Sequence, residues 1–182
     1  MPSTRTAKSG VPLNFTMCVS KTGDFMDSKK PMRADEIAPD MSKSLYPEPF
    51  ASMMKGRSKR RLGNYFGLTN FGVNLTELAP GAKSALKHAH EKQDEFIYVV
   101  SGTPTLSYGD SEYVMEPGDC IGFKCGSSDA HQLVNRSKEI VVYLEIGDRT
   151  PGDRVEYPND DLVAKSTENG KWIFCRKNGE PY

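Results

Sequence analysis

From Phe71 onward the chain is a succession of short β-type runs separated by turn residues, and this pattern restricts the fold more than any other feature. Strands at such close spacing, without long helical patterns between them, are typical of an antiparallel sandwich or barrel. One separator, Gly109-Asp110, suits a two-residue hairpin in which glycine takes a positive φ at the first position. The predicted strands are 71–78, 85–89, 95–100, 103–108, 112–115, 120–123, 131–134, 140–146 and 172–175.

The 182 residues suit one compact domain with an additional arm, because domains cluster near about 100–150 residues. Residues 1–44 are polar and lysine-rich and follow no sustained helical or strand period, so they predict a partly disordered N-terminal arm. Residues 45–182 are the predicted domain. Tyr46 and Phe50 are the predicted anchors of the arm, and either a neighbouring subunit or the chain's own barrel can receive them.

Charge and cysteine content exclude several classes of protein. Twenty-four basic residues balance 24 acidic ones, so no net field attracts nucleic acid or an acidic membrane surface. No apolar run is long enough to span a membrane, and no apolar signal segment is visible near the start. We therefore expect a cytoplasmic protein, with an organelle transit segment as the minor alternative. None of the four cysteines has CxxC spacing, and Cys120 and Cys125 are predicted to be buried, inert thiols.

Two other segments give local predictions. Residues 55–61 form a basic cluster, which we interpret as a solvated loop, with a phosphate-binding patch as the alternative. Residues 158–162 are a candidate short helix, because Asn159 or Asp160 could cap its first turn.

All three histidines of the chain fall within the β-rich region. Alternate residues of a strand point to the same face, so His88 and His90 project together. Glu95 follows after a hairpin-sized gap, and only the fold can bring His131 back to them. Three imidazoles and one carboxylate suit a divalent Mn, Fe, Ni, Zn or Cu ion with positions left for water or substrate. The alternative is that these histidines are ordinary surface or core residues.

The spacing of these residues resembles the two signature motifs of the cupin superfamily. The first motif has one residue more than usual before its histidine pair, and the second has Lys124 where a proline is usual. The residues that carry the two motifs are Gly81, His88-Ala89-His90, Glu95, Gly102, Gly109, Gly126, His131 and Asn135. Four further segments resemble stand-alone single-domain cupins that are loosely likened to sugar-phosphate isomerases: Tyr46-Pro47-Glu48-Pro49-Phe50, Phe71-Gly72-Val73-Asn74-Leu75, Tyr143-Leu144-Glu145-Ile146-Gly147-Asp148-Arg149 and Asn178-Gly179-Glu180-Pro181-Tyr182.

That resemblance implies a jelly-roll β-barrel (a double-stranded β-helix), a metal held by the four residues above, and a homodimer. It does not imply a reaction. Strand alternation places further side chains on the metal's face and predicts a mainly apolar pocket for a small molecule. The predicted pocket residues are Leu86, Ile97, Phe123, Leu133 and Asn135. Asn135 could orient a metal ligand, or it could instead be a turn or strand-end residue.

The sequence leaves two classes of function open, and it assigns no catalytic residue. A metal-dependent enzyme, an isomerase or an oxygenase acting on a small polar metabolite, would use the open positions on the metal. A non-catalytic protein that binds or senses a small molecule would explain why no strong general base stands out beside the metal.

Overall fold

The computed structural model describes residues 30–42 and 44–182, and within them the chain is almost entirely β-structure. The only α-helix in this part is the single turn α1 (Leu62–Tyr65), and two 3-10 turns cover Ala34–Glu36 and Ala51–Met54. The described strands are β1 (Arg57–Arg60), β2 (Phe71–Leu78), β3 (Ala89–His90), β4 (Glu95–Ser101), β5 (Thr105–Tyr108), β6 (Ser111–Val114), β7 (Cys120–Phe123), β8 (His131–Val134), β9 (Val141–Asp148), β10 (Arg154–Tyr157), β11 (Leu162–Ser166) and β12 (Trp172–Cys175). No helix in the described part of the chain has the length and apolar content for a membrane crossing.

The strands form two facing layers of antiparallel sheet. One layer has the order β1-β2-β9-β4-β7. The other layer consists of the sheets β12-β11-β10-β3 and β6-β5-β8, joined by a β-bridge between His88 and His131. This arrangement is the predicted all-β, jelly-roll type of fold.

Two apolar clusters fill the space between the layers. The larger cluster includes Leu78, Val99, Val141 and Tyr143, each at most 1% exposed. The smaller cluster packs Phe50 and Met54 against Tyr157, Leu162 and other residues of β10 and β11. Burial of these side chains is the main stabilising contribution to such a fold.

Tyr46 and Phe50, the predicted anchors, contact the chain's own barrel. Tyr46 makes edge-to-face contacts with Tyr157 and Phe174, at ring-centroid distances of 5.8 and 5.7 Å. Phe50 packs edge-to-face on Tyr182 at 5.6 Å. Most of the predicted arm, residues 1–29 and 43, lies outside the described residues, so its predicted partial disorder stays a prediction.

Three local predictions are wrong. The basic segment is not a solvated loop, because its residues from Arg57 to Arg60 pair with β2 as an edge strand. Residues 158–162 are not a helix, because residues 158–161 turn the chain between the paired strands β10 and β11 and Leu162 begins β11. Cys120 is exposed, because it lies opposite Tyr98 on the outer face of the five-stranded sheet.

Candidate metal centre

Three imidazoles come together on one face of the second layer. His88 directly precedes β3 and His90 ends that strand, so both side chains point into the barrel. His131 begins β8 directly opposite His88. The two residues exchange backbone hydrogen bonds, with N···O distances of 3.1 and 2.8 Å, and their rings are 4.5 Å apart. The close approach of β3 and β8 therefore sets the distance between two imidazoles that are far apart in sequence.

Glu95 reaches the histidines from the opposite layer, where it begins β4. Its Oε2 atom lies 2.9 Å from Nε2 of His131. The same oxygen lies 3.4 Å from Nε2 of His88 and 3.6 Å from Nε2 of His90. One carboxylate oxygen and three imidazole nitrogens thus converge on one small volume between the layers.

In the imidazole rings of His88 and His90, the Nδ1 atom makes a hydrogen bond that fixes the orientation of the ring. Nδ1 of His88 donates to the carbonyl oxygen of Leu86 at 2.8 Å. Nδ1 of His90 donates to Oδ2 of Asp153 at 2.6 Å. Because a carbonyl oxygen or a carboxylate can only accept, both rings carry their proton on Nδ1 and present a lone pair on Nε2. Such outer contacts are typical of histidines that bind metals.

The protonation states of Glu95 and His131 suit metal binding. Burial disfavours the Glu95 carboxylate, but the neighbouring imidazoles outweigh it and hold the pKa of Glu95 well below its usual range. Burial lowers the pKa of His131 and so keeps this ring neutral. At His90 burial acts in the same direction, yet the hydrogen bond to Asp153 and the charge of Glu95 raise its pKa. A carboxylate and neutral imidazoles are the forms that bind a cation.

The spacing of the donor atoms fits a divalent transition metal. Two ligand atoms bound at about 2.1 Å are about 3.0 Å apart at a right angle and about 3.4 Å apart at the tetrahedral angle. The distances around Glu95 fall near these values. His88, His90 and Glu95 form the compact group, with donor atoms all within 4.8 Å of one another. His131 is not a member of that group, and it contacts the group through the 2.9 Å approach of its Nε2 atom to Oε2 of Glu95. The group could hold a metal ion.

Asp153 is a positioning residue that the sequence did not reveal. It is 1% exposed, and its Oδ1 accepts a hydrogen bond from the backbone N–H of Lys92 at 2.7 Å while Oδ2 accepts one from His90.

We expect Asp153→Asn to weaken metal affinity about 10–100-fold, because the amide keeps the shape of the side chain but removes the negative charge next to the His90 ring. Competition with a fluorescent chelator for Zn²⁺ measures this change. Asp161→Asn, at an exposed carboxylate, is the control, and equal affinity of both variants would contradict the role of Asp153.

The four candidate ligands line a cavity of about 510 Å³ between the layers. Ile97, Phe123 and Leu133 also line it, and the Phe123 ring stacks on His131 with centroids 3.6 Å apart. Leu86 and Asn135 do not line it, contrary to prediction. Leu86 is packed in the smaller apolar cluster. The fully buried Asn135 instead donates to the carbonyl oxygens of Leu78 and Glu139.

A second set of polar residues lies on the wall of the same cavity. Arg57 and Lys59 face it, because alternate residues of the edge strand point inward, and Arg61, directly after the strand, also lines it. Glu145 of β9 faces the cavity as well, and its carboxylate accepts two hydrogen bonds from Nζ of Lys59. Two features of the sequence could have revealed this second set of polar residues. They are basic residues at every second position, and one acid inside the apolar run of residues 141–146.

Comparisons with known proteins agree with this geometry. The Cupin domain family matches residues 74–147. The chain resembles a cupin-superfamily sugar phosphate isomerase from Silicibacter pomeroyi, at 40% identity and a TM-score of 0.79, over 84% of this chain and 96% of that one. It also resembles a putative sugar phosphate isomerase from Acidithiobacillus ferrooxidans, at 32% identity and a TM-score of 0.63, over 79% and 98% of the two chains.

More distant similarity extends to the fold alone. A polyketide cyclase from Streptomyces resistomycificus shares 21% identity and a TM-score of 0.53, over 65% of this chain and 78% of that one. A comparison with curated proteins gave no match. The jelly-roll architecture, the histidine–glutamate cluster between its layers and the relatives at 40% and 32% identity lead to one conclusion. This chain belongs to the cupin superfamily.

Proposed function

We propose that the chain binds one divalent metal ion through His88, His90, Glu95 and His131 and isomerises a small phosphorylated sugar. The observation that carries the proposal is a single cavity with the donor cluster on one wall and a row of basic side chains on another. The relatives that bear the name sugar phosphate isomerase support the same reaction class. The metal, when bound, would act as a Lewis acid that polarises a carbonyl or hydroxyl oxygen of the sugar.

The basic row supplies the charge that a phosphate group needs. Arg57 donates from Nη1 to the carbonyl oxygen of Ser84, which fixes the guanidinium and leaves its other N–H groups for a ligand. Arg61 is paired with Asp40. Guanidinium groups bind phosphate oxygens in bidentate geometry, and a cavity wall excludes part of the competing water.

The volume and the lining of the cavity also suit a small metabolite. Its volume lies within the range of about 300–1,000 Å³ that is usual for small-molecule sites. Ile97, Phe123 and Leu133 form an apolar part of the wall near the donor cluster. An apolar surround strengthens electrostatic interactions with a bound anion.

The proposal is tested with protein loaded with Mn²⁺, Zn²⁺, Fe²⁺ or Ni²⁺ and a panel of four sugars: glucose 6-phosphate, mannose 6-phosphate, fructose 6-phosphate and ribose 5-phosphate. We expect aldose–ketose conversion of one of them, followed by NMR, and no conversion of the unphosphorylated sugar. Arg57→Met should raise KM for the phosphorylated sugar. If no metal gives turnover but a sugar phosphate raises the melting temperature, the protein is a binding or sensing cupin instead.

A further inference from the structure

The strongest feature that the metal site does not use is the ion pair between Glu145 and Lys59. Lys59 Nζ donates to the two carboxylate oxygens of Glu145 at 2.6 and 2.8 Å. Asn74 donates from Nδ2 to Oε1 at 3.1 Å, and the Tyr143 hydroxyl lies 3.4 Å from Oε2. The side chains of the pair are only 23% and 20% exposed. An enclosed ion pair contributes little to stability compared with well-packed apolar residues, so a role in chemistry is the better explanation for it.

The sheet register places Glu145 next to the donor cluster. Glu145 is directly opposite Ile97, and Ile97 follows Glu95 by two residues on β4, so both carboxylates point to the same face. Diagonal neighbours on adjacent antiparallel strands lie about 7–8 Å apart. Glu95 and Glu145 line the same cavity, so a small sugar bound in it can reach the candidate metal ligands and Glu145 together.

The charge state of Glu145 is the one that a base requires. Burial opposes ionisation of this carboxyl group, but the ammonium of Lys59 outweighs burial and keeps the pKa of Glu145 below its usual value. Asn74 holds the carboxylate in place from the neighbouring strand.

We propose that Glu145 and Lys59 are the acid–base pair of the isomerisation, an assignment that rests on the proposed function. Glu145 removes the proton from the carbon next to the carbonyl group, and the C–H electron pair forms the C=C bond of an enediol. The carbonyl π pair moves to its oxygen, which takes a proton from Lys59. In the second half, protonated Glu145 returns its proton to the former carbonyl carbon, and the Lys59 amine takes the proton of the other hydroxyl. The sum is an aldose–ketose exchange without a net oxidant or reductant.

The deciding variant is Glu145→Gln, which keeps the shape and the acceptor oxygen but cannot take a proton. With the panel sugar that the metal-loaded wild type converts, we expect kcat to fall about 10²–10⁴-fold with KM little changed. Deuterium uptake from D₂O into the carbon next to the carbonyl should disappear. Metal content by elemental analysis should equal that of the wild type, since Glu145 is not a ligand. Glu116→Gln, at an exposed carboxylate outside the cavity, is the control and should be unaffected.

The double variant Lys59→Met with Glu145→Gln distinguishes a loss of folding from a loss of catalysis, because it removes both charges of the ion pair together. It should melt near the wild-type temperature and show the same loss of deuterium uptake. A Glu145→Gln protein with wild-type kcat and deuterium uptake overturns the acid–base assignment and leaves the proposed function standing. A wild-type protein without conversion or deuterium uptake on the whole panel overturns the proposed function and the assignment with it.

Discussion

Replacing both His88 and His90 with alanine is expected to abolish stoichiometric metal binding. The two imidazoles supply two of the three members of the compact donor group, and the remaining pair of Glu95 and His131 is a weak site for a transition metal. Elemental analysis after purification should find about one metal ion per wild-type chain and none in the variant. The variant should also lose the stabilisation by added metal, which is about 4 kcal/mol for a site at a thousandfold excess over Kd.

Glu91→Ala is the matched control for the histidine variant. Glu91 directly follows the second histidine, but its side chain is exposed, so this change removes a potential oxygen ligand without touching the cluster. We expect full metal content and unchanged metal-dependent stabilisation. Full metal occupancy in the double histidine variant would refute the ligand assignment and with it the proposed function.

The second large effect is expected for Asn135→Ala, in stability rather than in metal binding. Asn135 is fully buried, and its Nδ2 donates to the carbonyl oxygens of Leu78 and Glu139 at 2.8 and 2.7 Å. Each buried acceptor that loses its donor costs roughly 1–3 kcal/mol, so we expect about 3 kcal/mol of destabilisation in urea unfolding with an unchanged m value. Metal affinity of the folded protein should stay the same, because neither bonded carbonyl group belongs to a candidate metal ligand.

Ser137→Ala is the control for this prediction. It removes one hydroxyl that donates to Oδ1 of Asn135 at 2.7 Å, but Ser137 is partly exposed and water can replace it. We expect less than about 1 kcal/mol of destabilisation. A weaker metal site in Asn135→Ala, with little loss of stability, would instead favour the role of Asn135 in orienting a ligand.

Strand prediction succeeded for several short runs with apolar or β-branched residues that lie between turn residues. The segments 71–78, 120–123, 131–134 and 172–175 are strands with the predicted bounds, and Gly109-Asp110 forms the predicted hairpin turn with a glycine φ of +54°. The predicted strand 85–89 is only the short strand Ala89–His90, and prediction failed at β1, β10 and β11. These three strands are rich in charged or mixed residues, and tertiary pairing decides their conformation. β1 adds to the edge of the five-stranded sheet, and β10 and β11 pair with each other between β3 and β12.

The sequence by itself determined the family resemblance, the all-β class and the local part of the candidate site. Strand alternation puts His88 and His90 on one face, and a hairpin-sized gap returns Glu95 to them. Only the tertiary structure decided which distant groups meet there. Asp153 lies 63 residues from His90, and Glu145 lies 86 residues from Lys59.

These side-chain contacts depend on the register of strands that are not neighbours in sequence. A shift by one residue would turn Lys59 or Glu145 away from the cavity, and no local pattern specifies that register. The packing of the two layers fixes it, because only one register buries Leu78, Val141 and Tyr143 together. The candidate metal ligands are therefore largely determined by local spacing, whereas the pair proposed to carry out the chemistry comes together only in the folded barrel.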